Sequence, residues 1–346
     1  TAQPDLAQGL PCKAVETVPI DPFAANQTGE LRRFVSPVPV NFRPIAEMQQ
    51  LSSRIMAQTR FDVVIASTEL MATYALQAEK PVKKVLEEHN SLTRMMRDRY
   101  NASSGFSAIR NWMSWRKLGR YERQLFKRFD LVTMVSEQDM EISEALLRQS
   151  NTSLALVPNG VDCVQNQPGI APKKLRQLIF NGSLTYQANY EAMVFFLAEI
   201  YPYIRRRTPD VEMVITGSKV GVDLAGLQLD DSVTLSGYVE DIRQSVAESA
   251  ACVVPLCQGG GTRLKILEAM ALGTPVIATS KGAEGLKAVN GEHLLIADDP
   301  QMFAEKVVAL LTDNDLRQQL SRKARAFVEQ QYDWREITER FVTLVE

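Results

Sequence analysis

The chain has 346 residues, enough for about two domains of ordinary size, and its 45% hydrophobic and 23% charged residues are typical of a soluble globular protein. Its formal net charge of −2 at pH 7 excludes the strongly basic class of nucleic-acid-binding proteins, so we expect no nucleic acid partner.

The cysteines, histidines and apolar runs also bear on whether the protein binds a metal and in which compartment it lies. The chain has two histidines and no C-x-x-C pair, which argues against a metal site, and scattered free thiols fit a reducing compartment. No apolar run is long enough to span a bilayer, and the polar start, TAQPDLAQGL, does not resemble a signal peptide. We therefore expect a cytoplasmic protein without a bound metal. The cysteines are Cys12, Cys163, Cys252 and Cys257.

Short β-branched runs alternate with amphipathic helical segments along almost the whole chain. Several runs are apolar on both faces, as parallel strands covered by helices should be, so the order predicts a doubly wound α/β fold. The predicted strands are 15–20, 62–67, 83–88, 131–136, 154–159, 177–183, 211–217, 233–237, 251–256, 275–280 and 293–297. The clearest helical segments are 188–206, 262–272, 300–312 and 314–331.

Residues 80–130 are unusually basic, with 13 Lys and Arg against 5 Asp and Glu and a local charge of +8. Aromatic residues are interleaved with these cations, and the pattern has two interpretations. It could form a face for anionic lipid headgroups or an acidic acceptor. It could equally be an amphipathic helix with a solvated basic side and an aromatic side packed into its domain. The aromatic residues are Trp112, Trp115, Tyr121 and Phe126.

Residues 158–175 contain several Pro and Gly residues and no hydrophobic periodicity, which predicts a linker between two α/β domains.

The second domain contains a strand, a glycine turn and a helix that begins near Thr262. The first N–H groups of such a helix can bind an anion, and two cations add charge suited to a diphosphate. The residues of this predicted anion site are Gly259, Gly260, Gly261, Thr262, Arg263 and Lys265.

Glu268 follows on the same helix, six residues after Thr262, or about 9 Å along the axis. A carboxylate at that distance can accept hydrogen bonds from sugar or ribose hydroxyls. The alternative is a surface helix with an ordinary Lys265–Glu268 pair. The stretch is neither G-x-x-x-x-G-K-[ST] nor G-x-G-x-x-G, so a dinucleotide oxidoreductase is poorly supported.

The stretch LKILEAMALGTPVIATS (264–280) resembles the nucleotide-sugar signature of the family-4 retaining glycosyltransferases, which have the GT-B fold of two Rossmann-like doubly wound domains facing across a cleft. A subgroup with GGGTRLKILEAM in place of the full paired-glutamate motif looks similar. Further stretches agree in order over nearly the whole chain: VLEEHN (85–90), DLVTMVSEQD (130–139), VPNGVD (157–162), FNGSLTYQANYEAMVFF (180–196), VITG (214–217), LSGYVED (235–241) and YDWREITERF (332–341).

The resemblance implies roles for the donor-site residues. Glu268 matches the second acid of the paired-glutamate motif, which grips the donor ribose, whereas Gly260 stands where the first acid is usual. Ser183, after Gly182, and Asn189 stand where many members have an arginine and a lysine for the diphosphate. Arg263 and Lys265 are the predicted replacements for these two missing cations.

Six other positions complete the predicted assignments. Tyr238 and Val239 match the turn whose main chain reads the base, and His89 matches the first-domain histidine that contacts the donor sugar. We predict a structural role for His293. Ser136 with Asp139 forms a capping box variant that opens a helix.

The resemblance also divides the chain. It implies an N-terminal acceptor domain at 1–158, a linker at 159–175, a nucleotide-sugar-binding domain at 176–330 and a final helix, 331–346, that crosses back to the first domain. Relatives begin with a strand, a loop and a further strand before anything like CKAVETVPI, so this sequence starts about one β-α-β unit late.

The expected activity is metal-independent, retaining transfer of a hexose from a nucleotide diphosphate sugar, with UDP as the nucleotide, in polysaccharide biosynthesis. No cofactor is expected. The acceptor is a saccharide, a lipid-linked molecule or a small molecule. Peripheral contact of the basic region 80–130 with the inner face of the membrane is one of its two interpretations, and the packed amphipathic helix is the other. The alternatives are a non-catalytic nucleotide-sugar-binding protein and a nucleotide-sugar epimerase on the same fold.

Overall fold

The computed structural model describes residues 12–19, 44–148, 150–259 and 263–346. The chain divides into two compact units, one ending at Leu156 and the other running from Val157 to Leu344. Within the described ranges, no helix combines the length and the apolar character needed to cross a bilayer.

The first unit is built on a parallel sheet of four strands in the order β1-β2-β3-β4. Helices connect neighbouring strands, as parallel pairing requires. The described elements are α1 (Ala46–Gln58), β1 (Val63–Ser67), α2 (Glu69–Ala75), β2 (Lys83–Glu88), α3 (Leu92–Asn101), α4 (Gly105–Phe126), β3 (Leu131–Met134), α5 (Glu137–Leu147) and β4 (Ser153–Leu156).

Buried apolar side chains from β2, β3 and α4 form the core of this unit, with Leu86, Phe126, Val132 and Met134 fully enclosed. Polar caps fix the helices that follow the strands. The Ser136 side chain accepts a hydrogen bond from the backbone N–H of Asp139 at the start of α5, which confirms the predicted cap.

The second unit contains a six-stranded parallel sheet and the remaining helices. Its elements are β5 (Lys174–Asn181), α6 (Gln187–Phe195), a π-helical turn (Phe196–Ile200), α7 (Tyr201–Arg207), β6 (Glu212–Thr216), β7 (Val233–Gly237), α8 (Ile242–Glu248), β8 (Ser249–Val254), α9 (Leu264–Ala271), β9 (Val276–Ala278), β10 (Leu295–Ile296), α10 (Pro300–Thr312), α11 (Asn314–Gln331) and α12 (Trp334–Val345).

The strand order of the second sheet is β10-β9-β8-β5-β6-β7. Counted from the first strand of this unit, this is the 3-2-1-4-5-6 order of a doubly wound sheet, which confirms the predicted fold class. The order reverses between β5 and β8. Ligands of such sheets bind beyond the carboxyl ends of the strands at this reversal, so the topology itself indicates where a site should lie.

Alternate residues of β5 face opposite sides of the second sheet. Phe180 packs with Met193 and Phe303 in one buried cluster, while Ile179 packs with Ile266 and Val328 in another. The carboxyl-terminal part of the strand is therefore buried on both sides, which explains its three consecutive apolar residues, Leu178, Ile179 and Phe180, whereas residues 174–176 are exposed.

Three predicted elements differ from the observed ones. Residues 15–19 form no strand, because this exposed stretch pairs with no other strand in the described part of the chain, and Ile20 lies outside the described residues. The predicted helix 188–206 is interrupted by the π-helical turn. The helix predicted from Thr262 begins at Leu264, while 260–262 lie outside the described residues.

Candidate functional site

The candidate site lies in the second unit, where β5 and β8 end. Asn181 is the last residue of β5, and Gly182 follows it. Beyond β8, residues 255–263 lead into α9, which carries Lys265 and Glu268. These two strand ends flank the point at which the strand order reverses, so the sequence motifs meet where the topology indicates a site.

Glu268 lines a cavity of about 780 Å³, together with Val239, Ile242 and Leu272. The side-chain amide of Asn181 donates a hydrogen bond to Glu268 Oε2 at 3.3 Å and thereby orients the carboxylate. Burial raises the pKa of Glu268, and the nearby Lys265 charge opposes that rise. The arrangement presents a partly buried carboxylate to a cavity large enough for a small organic ligand.

The two predicted base-reading residues differ in their positions. Val239 lies in the wall of the cavity that Glu268 lines. Tyr238 is 81% exposed and lies outside that wall. Asp241 and Arg243 also line the cavity and pair with each other at 2.8 Å, so their charges are mutually satisfied.

Lys265 reaches from α9 to α6. Its Nζ donates to Asn189 Oδ1 at 3.0 Å and lies 3.9 Å from the centroid of the Phe180 ring. Burial lowers the pKa of this lysine to about 8, and the Arg263 charge adds to the reduction. No ion pair joins Lys265 to Glu268 in the part of the chain described here, so the simple surface pair considered from the sequence is not formed.

Gly182 leaves the space that Lys265 and Asn189 occupy. A Cβ atom at this position would lie 2.6 Å from Lys265 Nζ and 2.9 Å from Asn189 Nδ2. Asn189 Nδ2 also donates to the backbone carbonyl of Ser183 at 2.8 Å, and the Ser183 hydroxyl donates to the carbonyl of Ser218 at 3.1 Å. Ser183 and Asn189 therefore hold the loop after β5 and present an amide oxygen to the lysine.

Arg263 immediately precedes α9 and is buried. Its Nη2 donates to the carbonyls of Gly259 at 2.9 Å and Lys281 at 3.0 Å, and lies 4.0 Å from a carboxylate oxygen of Glu284. The guanidinium thus joins the backbone of Gly259 to that of the segment after β9. Its predicted contact with a diphosphate stays a prediction. Three other predicted site residues, Gly260, Gly261 and Thr262, lie outside the described residues.

His89 follows β2 in the first unit, and its side chain is 46% exposed. Its Nε2 atom lies 3.2 Å from Ser67 Oγ, at the end of β1, and 3.9 Å from Glu87 Oε2. Hence the imidazole is held at the carboxyl end of the first sheet by two polar neighbours that the sequence did not single out. His293, by contrast, accepts a hydrogen bond from the backbone N–H of Val289 and stacks on Phe327, which confirms its structural role.

Glu88 and Glu122 are buried acids of the first unit, and the sequence assigned them no role beyond the charge of residues 80–130. Burial raises the pKa of Glu122 to about 7, although it accepts hydrogen bonds from the backbone N–H groups of Leu92 at 2.6 Å and Thr93 at 3.1 Å. Burial, with the neighbouring Glu69 charge, raises the pKa of Glu88 as well. Glu122 therefore caps α3 from the neighbouring helix α4.

The basic region 80–130 contains both buried and exposed aromatic side chains, so each of the two interpretations of its sequence describes part of it. Phe126 is fully buried and Trp115 stacks on Tyr100 at 5.8 Å between ring centroids, as the packed amphipathic helix requires. Trp112 is 47% exposed, however, and Phe106 at the start of α4 is 90% exposed. The first half of α4 thus presents apolar side chains to solvent, including Ile109 and Met113.

Comparison with known families gives two matches that follow one another along the chain. Residues 8–165 match the family described as "Glycosyltransferase Family 4", and residues 176–313 match "Glycosyl transferases group 1".

Curated relatives are more distant. The chain is 28% identical over 200 residues to the phosphatidyl-myo-inositol mannosyltransferase of Mycobacterium leprae (strain TN), covering 55% of this chain and 52% of that protein. It is 24% identical over 168 residues to an uncharacterized 44.6 kDa protein in the cps region of Klebsiella pneumoniae, covering 46% and 43%. The chain spans about half the length of the curated relatives it matches.

Solved structures share the architecture. The structure of Anabaena HepE in complex with UDP and glucose matches with a TM-score of 0.66 at 16% identity, covering 88% of this chain and 84% of HepE. TarM matches with a TM-score of 0.66 at 15% identity, covering 85% of this chain and 57% of TarM. At such identities the likeness is one of fold.

Proposed function

The chain belongs to the family-4 glycosyltransferases and has the GT-B fold, and from this premise we propose that it transfers a sugar from a nucleotide diphosphate sugar to an acceptor hydroxyl with retention of configuration. The observation that supports this most directly is the position of Glu268 in the wall of a large cavity beside the reversal of strand order. A nucleoside would occupy that cavity, with its ribose hydroxyls donating to the carboxylate.

The diphosphate of the donor would lie beside Lys265, whose ammonium is already directed by Asn189. Departure of the nucleotide diphosphate builds negative charge, and a fixed cation beside it stabilises the transition state. This chemistry needs a positive charge rather than a particular metal, so we propose a metal-independent reaction. UDP is the proposed nucleotide, in keeping with the UDP bound by HepE.

His89 is the proposed catalytic residue. This assignment is supported by its match to the family's histidine and by its exposed place at a strand end, where ligands of α/β sheets bind. The imidazole can hydrogen-bond a sugar hydroxyl through Nδ1, while its Nε2 lies beside the hydroxyl of Ser67.

For the acceptor we propose a saccharide or a lipid-linked molecule at a membrane surface. The supporting observation is the exposed apolar start of α4, where Phe106 and Trp112 lie among cations. Such a face suits peripheral contact with anionic lipids. One relative is named for a phosphatidyl-linked substrate and another for a cps region, which agrees with polysaccharide or glycolipid synthesis.

A thermal-shift panel of nucleotide sugars tests the donor, since a ligand at 100 times its Kd stabilises by about 2.7 kcal/mol. Transfer to an acceptor, with the anomeric configuration read by NMR and the reaction repeated in EDTA, tests the remaining steps. Donor stabilisation without transfer or donor hydrolysis would favour a non-catalytic binding protein. Conversion of the donor sugar without any acceptor would favour an epimerase.

A further inference from the structure

A second cavity, of about 460 Å³, lies in the first unit between α3, α4 and α5. Its wall contains one carboxylate, from Glu141, and one large aromatic side chain, Trp115. None of its guanidinium groups forms a hydrogen bond or ion pair with the residues that the structure describes. The cavity therefore concentrates uncompensated positive charge. The arginines are Arg97, Arg116, Arg120 and Arg123.

Three of these arginines lie on one face of α4. Arg116, Arg120 and Arg123 are spaced four and three residues apart, so their charges are neighbours on the helix surface. Like charges at these spacings destabilise a helix. A bound oxyanion would offset that repulsion by attracting all of these charges. In the described wall, only the carboxylate of Glu141 offers such an attraction.

The cavity is held open by the packing of its three helices. Glu122 of α4 caps α3, and Asp139 of α5 accepts a hydrogen bond from the backbone N–H of Ser91 at 3.2 Å and lies 3.6 Å from Nη1 of Arg94. These buried carboxylates fix α3 against both neighbours. The walls are thus positioned before any ligand arrives, which favours binding.

Gly119 contributes to the open space. A Cβ atom there would make only ordinary contacts, 3.5 Å from Thr93 Oγ1 and 3.6 Å from Leu146 Cδ2. Backbone geometry therefore does not require glycine inside this helix, where glycine is less stable than alanine. The missing side chain leaves room in the cavity.

We propose that this cavity binds the phosphate group of a phosphate ester or diphosphate. Guanidinium groups match phosphate oxygens in pairs, and four of them against one carboxylate exceed what a single carboxylate ligand would neutralise. Trp115, backed by Tyr100, offers a flat wall for the carbon part of the ligand. The residues of the first unit line this cavity and those of the second unit line the donor cavity, so the proposal does not depend on the proposed transfer.

The test uses the full chain and inorganic pyrophosphate, with hydrogen exchange read over α3, α4 and α5. We expect pyrophosphate to slow exchange in these helices, independently of any effect around α9. Arg120→Ala/Arg123→Ala should weaken this binding at least tenfold, as loss of charged hydrogen bonds predicts. The matched control, Lys127→Ala/Arg128→Ala, removes the same charge outside the cavity wall and should change binding less than about twofold.

A variant that obstructs the cavity but keeps all of its arginines is a second test of where pyrophosphate binds. Ala145 is exposed and lines the cavity, so Ala145→Glu adds a negative charge at its edge without disturbing the core, and should weaken pyrophosphate binding about tenfold. Equal losses in the two double variants, or unchanged binding in Ala145→Glu, would show non-specific attraction and overturn the proposal. Absence of both pyrophosphate and vesicle binding would overturn it as well.

Vesicles distinguish the source of the phosphate. If it belongs to a lipid headgroup, phosphatidylglycerol vesicles should sediment the chain, phosphatidylcholine vesicles should not, and both Arg120→Ala/Arg123→Ala and Phe106→Ser/Trp112→Ser should reduce sedimentation. If it belongs to a soluble ligand, pyrophosphate should bind while neither vesicle does. Vesicle binding that survives Arg120→Ala/Arg123→Ala but not Phe106→Ser/Trp112→Ser would assign lipid contact to the exposed apolar start of α4 and exclude a lipid headgroup as the ligand of the cavity.

Discussion

Lys265→Met tests whether the buried ammonium of α9 binds the donor diphosphate. Methionine keeps an unbranched side chain of similar reach but removes the charge. A hydrogen bond to a charged group contributes about 1.5–3 kcal/mol, so the Kd for UDP should rise about 10- to 150-fold. The Kd for uridine, which has no phosphate, should change less than about twofold on the same reasoning.

The pH dependence gives an independent signature. The pKa of Lys265 is lowered to about 8 by burial, and a bound diphosphate should raise it again. UDP binding should therefore take up a proton near pH 8, and affinity should fall as pH rises from 7 to 9. The phosphate is already ionised there, because its second pKa is about 6. In Lys265→Met, and for uridine, the profile should be flat.

Measuring the stability of the folded chain shows whether weaker UDP binding in Lys265→Met results from unfolding. The folded pKa of Lys265 lies below its unfolded value of 10.5, so the unfolded chain binds more protons between about pH 8 and 10.5. Stability should rise with pH across that window, by at most about 3 kcal/mol, and the penalty is fully present below pH 8. Removing the charge should therefore leave the melting temperature at pH 7 no lower than that of the parent chain.

Isothermal titration calorimetry in metal-free buffer measures these affinities and the proton uptake. Lys219→Met is a suitable control, because it removes another lysine of the same unit whose Nζ donates to the carbonyl of Leu235. The reasoning would be refuted if Lys265→Met weakened UDP and uridine by the same factor, or if the pH dependence persisted in that variant.

Three further substitutions test the rest of the site. Glu268→Ala should raise the Kd for UDP and for uridine alike by about tenfold or more, because both ligands carry the ribose hydroxyls; unchanged calorimetric affinity in the folded variant would contradict this. Gly182→Ala should weaken UDP binding through the 2.6 Å approach of its Cβ to Lys265 Nζ, and normal UDP affinity would show that the lysine acts elsewhere. His89→Ala should lower turnover about 100-fold with UDP affinity and melting temperature unchanged; a wild-type kcat, or joint loss of stability and nucleotide binding, would count against its catalytic role.

Hydrophobic pattern predicted the fold well because most strands are buried on both faces. The three consecutive apolar residues of β5, Leu178, Ile179 and Phe180, are typical of a strand covered on both faces, and the sequence locates β5 within three residues at either end. The stretch 15–20 shows the limit of the same signal. A β-branched run becomes a strand only when another strand pairs with it, and local sequence does not contain that information.

The site could be predicted where function requires a particular side chain, as at Glu268. Its partner Asn181 could not be found, because a hydrogen bond across 87 positions leaves no local pattern. The bracing role of Arg263 was hidden for a similar reason, since one guanidinium can serve a phosphate or two backbone carbonyls. In α4, helical spacing did not distinguish the buried Phe126 from the exposed Trp112.

The contact between Lys265 and Asn189 implies that the two positions depend on each other. The sequence resemblance implies a lysine at the Asn189 position in many family members, and here an ammonium comes instead from α9, 3.0 Å from the asparagine oxygen. A lysine at both positions would bring two charges within about 4 Å, where repulsion is about 4 kcal/mol at an effective dielectric of 20. Asn189→Lys alone should therefore reduce stability and UDP affinity.

The same change should be beneficial once Lys265 is gone. In Asn189→Lys/Lys265→Met the single ammonium comes from α6, the position that the sequence resemblance implies, and UDP affinity should recover at least tenfold over Lys265→Met, as one regained charged hydrogen bond predicts. A substitution that harms one background and rescues the other shows that the site needs one cation at this place, whichever helix supplies it. Additive losses in the double-mutant cycle would instead mean that Asn189 and Lys265 act separately.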